Sequence, residues 1–390
     1  MNSYTYFDYN ATATVSPCVI EEVSKILSTT SNSSSIHALG QSSRMILEDV
    51  RDSLLNFIGL DRKEYKVIFT SGATEAINLI LRGVTVNLAV NSIAVSTIEH
   101  SAIRETAKDL GAKSTVEVLQ ISSGIQDGKL KFDLPSAESL GLIALMAVNN
   151  ETGHVTNFDE IFSKIKSANP STITLCDASQ LIGKYDMPDF KNTDAIIFAG
   201  HKFGALQGVG ALVIKKSIDL KPLITGGPQE LRFRGGTENV LAIWSFGKAL
   251  EVIAKSQSAR LQKMKALTDV IKNQLKLDSR IRINFSNDTV VPNTISVTIP
   301  GVSASDLVVA LDLEKVCVSS GSACSSGKTD PSHVLIALGM GEQEARSTVR
   351  ISVGPELSIE EAQFGAQKIL DVVGRFCWET CTAADLMPLS

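Results

Sequence analysis

The run Asp194-Ala-Ile-Ile-Phe-Ala-Gly-His-Lys-Phe-Gly204 passes from apolar to polar within a few residues. Its first half has the composition of a buried strand, and Gly200-His201-Lys202 ends it. A lysine therefore falls at the C-terminal lip of that strand, where ligands bind in α/β proteins. Loss of water at such a lip lowers the pKa of an amine and favours the neutral form that attacks a carbonyl. A surface lysine after an ordinary strand has the same local sequence. The rest of the chain has to decide between the two.

At 390 residues the chain exceeds what one core normally organises, which predicts one large and one small domain. Charged residues make up 20% and hydrophobic ones 44%, an ordinary soluble balance. A net charge of -5 and a pI near 5.7 argue against a surface for nucleic acid or anionic membrane. No long apolar span or basic-then-apolar leader occurs, so neither a transmembrane helix nor a secretory signal is expected. The cysteines at 18, 176, 317, 324, 377 and 381 form no Cys-x-x-Cys pair. That spacing predicts no disulfide framework and no metal site, and it suits a reducing cytoplasm.

Tyr4 to Thr14 is too polar for a core strand and reads as an extended arm. Pro17 opens a helix, and a second, from about Gln41, turns Met45, Ile46, Leu54, Leu55 and Ile58 towards a core. Apolar runs then alternate with amphipathic segments. Strands are expected at Val67–Thr70, Ser92–Ser96, Glu117–Leu119, Leu142–Val148, Thr172–Cys176, Asp194–Phe198 and Gly210–Ile214. This alternation predicts an α/β fold around a mainly parallel, doubly wound sheet. Later strands, Thr294–Thr298 and Ser347–Ser352, alternate polar and apolar residues, as a sheet with one wet face does. The expected division is a large domain of residues 14–246 and a small α+β domain of residues 1–13 and 247–390.

Four more strand ends carry chemistry. Thr70-Ser71-Gly72-Ala73-Thr74 opens a helix, whose N-terminal N–H groups and positive dipole end suit a phosphate. Cys176-Asp177-Ala178-Ser179-Gln180 sets a carboxylate where it can pair with the protonated nitrogen of a pyridine ring. His100 can stack on an aromatic cofactor and move protons near neutral pH. Asn150, in Val148-Asn-Asn-Glu151, adds an amide. Each group taken singly also reads as a helix cap or a structural polar residue. Their order along one lip favours a shared site.

In that order the chain resembles the pyridoxal-phosphate enzymes of aspartate-aminotransferase fold (fold type I), specifically the class V group. The resemblance implies a seven-stranded, mainly parallel sheet and pyridoxal 5'-phosphate as cofactor. It further implies that Lys202 holds the cofactor covalently and Asp177 pairs with its ring nitrogen. Gln180 would bond the phenolic oxygen, His100 would stack on the ring, and Ala73, Thr74 and His201 would hold the phosphate. Asn150 would contact cofactor or substrate.

The segment Val318-Ser-Ser-Gly-Ser-Ala-Cys324-Ser-Ser-Gly327 has little apolar surface to pin it, and a thiol inside it could reach a bound substrate and swing away. With Pro331-Ser332-His333-Val334-Leu335 it is similar to the persulfide loop of NifS-like cysteine desulfurases. Arg234-Gly-Gly-Thr237-Glu-Asn239 resembles that group's segment whose Thr, here Thr237, reaches the cofactor phosphate of the neighbouring subunit. Val349-Arg350-Ile351-Ser352 resembles the strand whose Arg binds the substrate carboxylate, a task that a planar guanidinium fork suits.

The implied activity converts L-cysteine to L-alanine, with the persulfide on Cys324 and catalysis by Lys202, Cys324 and His100. It also implies a homodimer and a sulfur-acceptor or scaffold protein, for iron–sulfur cluster assembly or tRNA thiolation. Two other readings stay open. One is another class V reaction, transamination or selenocysteine lysis; the other is a non-catalytic homologue acting as a binding or scaffold protein. Two positions depart from the group. Ala199 replaces a phosphate-binding Ser, and Ser33 replaces a Pro, which is expected to leave its loop less preorganised.

Overall fold

The computed structural model describes residues 4–88, 90–113, 116–320 and 330–385, with side chains as far as residue 376. The chain divides into two compact units, one of Thr12–Asn150 and Val155–Ser258, the other of Met1–Ala11, Glu151–His154 and Ala259–Ser390. The change at 258/259 falls inside one helix, Val240–Leu275, where no composition break marks it. The sequence reading places it at 246/247.

The larger unit is built on a seven-stranded sheet: β1 (Tyr65–Thr70), β2 (Ser92–Ser96), β3 (Glu117–Ile121), β4 (Leu142–Met146), β5 (Ile173–Asp177), β6 (Ala195–Ala199) and β7 (Gly210–Lys215). Their spatial order is β1-β7-β6-β5-β4-β2-β3. Only β7 runs against its neighbours, so the C-terminal ends of the other strands share one edge. β2, β4, β5 and β6 are buried along their whole length, which is why they read as unbroken apolar runs. Edge strand β3 is only partly buried. Ala76, Ile77, Ile80 and Val84 of the helix Ala73–Asn87 pack on this sheet.

Register sets the working edge. Gly210 pairs with Thr70 on one side and Ala199 on the other, which brings the end of β1 level with the end of β6. A Cβ on Gly210 would lie 2.6 Å from the backbone of Gly72, so glycine is required there. Asp177 pairs with Met146 and Ile197, completing the row.

In the smaller unit β8 (Arg282–Asn284), β9 (Thr294–Thr298) and β10 (Thr348–Ser352) form an antiparallel sheet in that order. β9 and β10 are buried on both faces, against the expectation of a wet face. The polar face is dry because its groups bond to one another. Asn284 donates to Ser296 and Thr298, Thr298 and Thr348 share a hydrogen at 2.7 Å, and Asn10 donates to Thr294 at 2.9 Å.

The N-terminal arm is also a correction. Phe7 and Tyr9 are buried, and Thr5–Tyr6 pairs in parallel with Val316–Cys317. Its partners lie some 300 residues away in the chain, beyond the reach of any local pattern. Met45 is a third correction: it is 65% exposed, while Ser43, Leu47, Val50 and Leu54 form the buried stripe of the helix Ala38–Phe57. Ser33 is buried, its hydroxyl donating to Glu238 at 2.7 Å.

β1 is fastened near its end by a buried ion pair. Arg51 gives two hydrogens to Glu230, at 3.0 and 2.9 Å, and Glu230 also accepts from the Phe69 N–H at 2.7 Å. Breaking a buried pair leaves a buried charge, at a cost of about 3–5 kcal/mol. Arg51→Met is expected to lower the stability of the chain by that amount, read as an earlier midpoint in urea unfolding.

Candidate active site

The edge where β1, β2, β4, β5 and β6 end gathers the sequence-predicted groups of the larger unit. After β6 the chain makes a tight turn, Gly200–Lys202, in which the Gly200 N–H donates to Val209 O at 3.0 Å. A Cβ on Gly200 would meet Val209 at 2.8 Å. Lys202 is half-buried. His201 beside it shares a hydrogen with Thr12 Oγ1 at 2.7 Å, and its carbonyl accepts from the Ala13 N–H at 2.8 Å. Burial, then the charges of Lys202 and Lys184, push the His201 pKa down to about 4. His201 is therefore neutral at physiological pH.

At the end of β1 the helix Ala73–Asn87 starts at Gly72. Its first-turn N–H groups have no acceptor within the helix, and a Cβ built on Gly72 would meet nothing within 4 Å, so an anion can approach the backbone from that side. Thr74 is exposed there. Glu75 accepts from the Ser71 N–H and from Arg234 Nε, which settles its own charge. Thr237 is exposed and lines a cavity of about 190 Å³ with Thr70, Ser71, Glu230, Arg234 and Glu238. Ala199 has no hydroxyl to give; Ser71 and Thr74 carry exposed ones near this turn, while Thr70 Oγ1 donates to Gly72 O at 2.9 Å.

At the end of β5 the Asp177 side chain is buried, and Oδ1 accepts from the Ser179 N–H at 3.0 Å. Gln180 is buried just beyond it, and the amine of Lys184 donates to Gln180 Oε1. At the end of β2 His100 accepts from the Ala102 N–H through Nδ1 at 3.1 Å. That bond assigns the hydrogen of the neutral ring to Nε2. Burial lowers the His100 pKa, Asp177 partly opposes this, and Lys202 lowers it further. For His100 to take a proton at Nδ1, the Ala102 contact has to open. Asn150, after β4, is half-buried, while the neighbouring Asn149 is buried and donates to Ile98 O at 3.2 Å.

Sequence reasoning missed Glu99 and Lys184, because charged residues near a strand end or in a turn read as solvated. Glu99 is fully buried and accepts from Ser96 Oγ at 2.9 Å and the Met146 N–H at 2.8 Å. Burial, then the charge of Asp177, push its pKa up to about 8.

Arg350 lies on β10 in the smaller unit, buried rather than facing solvent, with Nη2 2.5 Å from Asp8 Oδ1. Cys324 lies outside the described residues. The residues flanking its segment are fastened within the smaller unit. Ser319 and Arg350 exchange backbone hydrogen bonds, and Ser332 Oγ donates to Glu151.

The profile of class V aminotransferases matches residues 5–364. The chain belongs to the class V aminotransferase family. It is 33% identical over 383 residues to the cysteine desulfurase IscS of Dictyoglomus turgidum, an alignment covering 96% of this chain and 95% of that one. Among solved structures, a NifS-like protein superposes with a TM-score of 0.86 at 30% identity, covering 95% of this chain and 99% of the other. A NifS-like protein from Rickettsia africae gives 0.83 at 28%, with the same coverage.

Class V enzymes work with pyridoxal phosphate, and the groups on this edge fit it. A half-buried amine, a buried carboxylate and an open helix N-terminus are what an aldehyde, a ring nitrogen and a phosphate require.

Glu99 gives a test of this buried electrostatics. Its folded pKa is raised above the unfolded value, so the protonated form is favoured in the fold. That contribution is full below about 4.5 and is lost as pH rises through about 8. Glu99→Gln keeps an acceptor without the charge. Thermal unfolding of the cofactor-free chain from pH 5 to 8.5 is expected to show the variant gaining on the parent as pH rises.

Proposed function

We propose that this chain is a pyridoxal-phosphate-dependent cysteine desulfurase that takes the sulfur of L-cysteine onto Cys324 and hands it to an acceptor protein. The observation that carries this reading is the row of strand ends bearing Lys202, Asp177, His100 and the Gly72–Thr74 turn, in a chain that also holds Ser-Ser-Gly-Ser-Ala-Cys324. The similarity to proteins named cysteine desulfurase supports it.

When bound, the cofactor supplies an electron sink for the substrate's Cα. Lys202 would anchor it and afterwards move protons at the substrate carbon. Asp177 would pair with the ring nitrogen, and the Gly72–Thr74 turn with His201 would hold the phosphate. His100 would stack on the ring, and Asn150 would contact cofactor or substrate. Arg350 is our assignment for the substrate carboxylate, with Asp8 orienting its guanidinium. The Cys324 thiolate attacks the substrate sulfur, whose bond to carbon breaks. Overall, L-cysteine and the Cys324 thiol give L-alanine and the Cys324 persulfide, balanced in atoms without an external oxidant. A free thiol titrates near pH 8.5, so the attack accelerates towards alkaline pH unless the site lowers that value.

The acceptor is a thiol-bearing or scaffold protein serving iron–sulfur cluster assembly or tRNA thiolation in the cytoplasm. No helix among the described residues is long and apolar enough to cross a membrane.

Incubation with L-cysteine and a thiol reductant is expected to yield alanine and sulfide in equal amounts without any keto acid. Cys324→Ala is expected to lose sulfide release by a factor of at least about 100, the scale of a lost nucleophile. Full release by that variant overturns the assignment of the thiol.

The homodimer belongs to the same proposal. Ile36 (92% exposed), Leu39 and Met45 surround the start of the helix Ala38–Phe57 and present apolar surface to water. A second copy covers them, and Thr237 then serves the phosphate turn of the neighbour. Ile36→Glu combined with Met45→Glu is expected to convert the dimer to monomer in sedimentation velocity and to weaken cofactor retention.

A further inference from the structure

Lys184 is 1% exposed, and the mechanism above does not use it. Local geometry explains how it gets inside. After β5 the chain coils through successive turns, with Leu181 N–H donating to Ala178 O at 3.0 Å and Lys184 N–H to Leu181 O at 3.1 Å. Gly183 adopts φ +74°, a left-handed conformation that glycine takes without strain, and a Cβ there would press on Ile253 at 3.2 Å. The coil brings Lys184 back over Gln180, and its amine donates to Gln180 Oε1. Burying an ammonium is expensive unless its hydrogens are taken up, so this contact is not incidental.

An amide is two-faced: one end accepts and the other donates, and alone it turns either way to suit its neighbours. An ammonium has only donors, so Oε1 is committed to Lys184 and Nε2 has to face elsewhere. We propose that Lys184 is a positioning residue that fixes the polarity of Gln180, making it a hydrogen-bond donor toward an anionic oxygen of the group held at the strand lip. This rests on the reading of that group as pyridoxal phosphate, whose phenolic oxygen is the acceptor in question. A flipped Gln180 would present Oε1 to that oxygen and repel it. Lys184 excludes the flipped state.

The test compares two ligands on the cofactor-free full-length chain: pyridoxal phosphate and its 3-deoxy analogue, which lacks the phenolic oxygen. Equilibrium binding is measured for the parent, Lys184→Met, Lys184→Arg and Gln180→Ala. Lys184→Met is expected to weaken pyridoxal phosphate about tenfold, the worth of one well-aligned hydrogen bond to an anion, and to leave the deoxy analogue within about twofold. Gln180→Ala is expected to show the same selective loss, and Lys184→Arg to recover part of the affinity. A general loss of packing moves both ligands equally, and that result overturns the inference. So does a Lys184→Met protein that binds both ligands as the parent does. If the parent itself binds neither, the cofactor reading fails rather than the role of Lys184. Urea unfolding of each variant, with a midpoint near the parent's expected, identifies any that fails to fold, and Lys184→Arg then carries the comparison.

Discussion

The absence of a side chain at Gly210 is the constraint on which the working edge depends. Gly210 pairs with Thr70 and Ala199 at once, and the Gly72 backbone occupies the space where its Cβ would stand. The antiparallel strand β7 is thus a spacer one residue deep between two functional turns. Neighbouring strands lie about 4.8 Å apart, so two steps set the phosphate turn about 10 Å from the lysine strand. That separation is fixed by backbone geometry and not by side chains that rotate. It explains why Gly200 and Gly210 matter to the site although neither has a side chain to offer a ligand.

What was legible in the sequence follows from burial. The central strands of the large sheet were readable because burial along their whole length demands apolar runs, and β1, β2, β4, β5 and β6 end where the candidate groups begin. That rule singled out Lys202, Asp177, His100 and the Gly72 turn as candidates, and the resemblance supplied the roles proposed for them. The rule fails where polar residues are buried in company. β9 and β10 alternate like a half-wet sheet, yet Thr294, Ser296, Thr298 and Arg350 are buried against Asn10, Asn284 and Asp8. Nothing in a period-two pattern separates a water-facing threonine from one whose hydroxyl is paired across 50 residues with another. The arm carrying Asp8 and Asn10 was misread for the same reason, since its polarity is satisfied by partners remote in sequence.

Glu99 and Lys184 show the second limit. A charged residue is assumed solvated because most are, and only coordinates reveal the exceptions. Both lie beside residues that were predicted, Glu99 next to His100 and Lys184 one turn beyond Gln180. A useful signal was available in hindsight: Gly183 before Lys184 marks a left-handed residue that turns the chain inward.

These buried charges also divide the proton-carrying work. His201 is held neutral by burial, then by the charges of Lys202 and Lys184, so it meets an anion as a polar, uncharged partner. Glu99, pushed up to about 8 by burial and by Asp177, is mostly protonated near pH 7 and does not compete with Asp177 for a positive ring. Had Glu99 ionised readily, two carboxylates would share one cation, and the ring nitrogen would be held less firmly to either. On the proposed reading, this charge pattern, rather than any single residue, suits a ligand that is cationic at one end and anionic at the other.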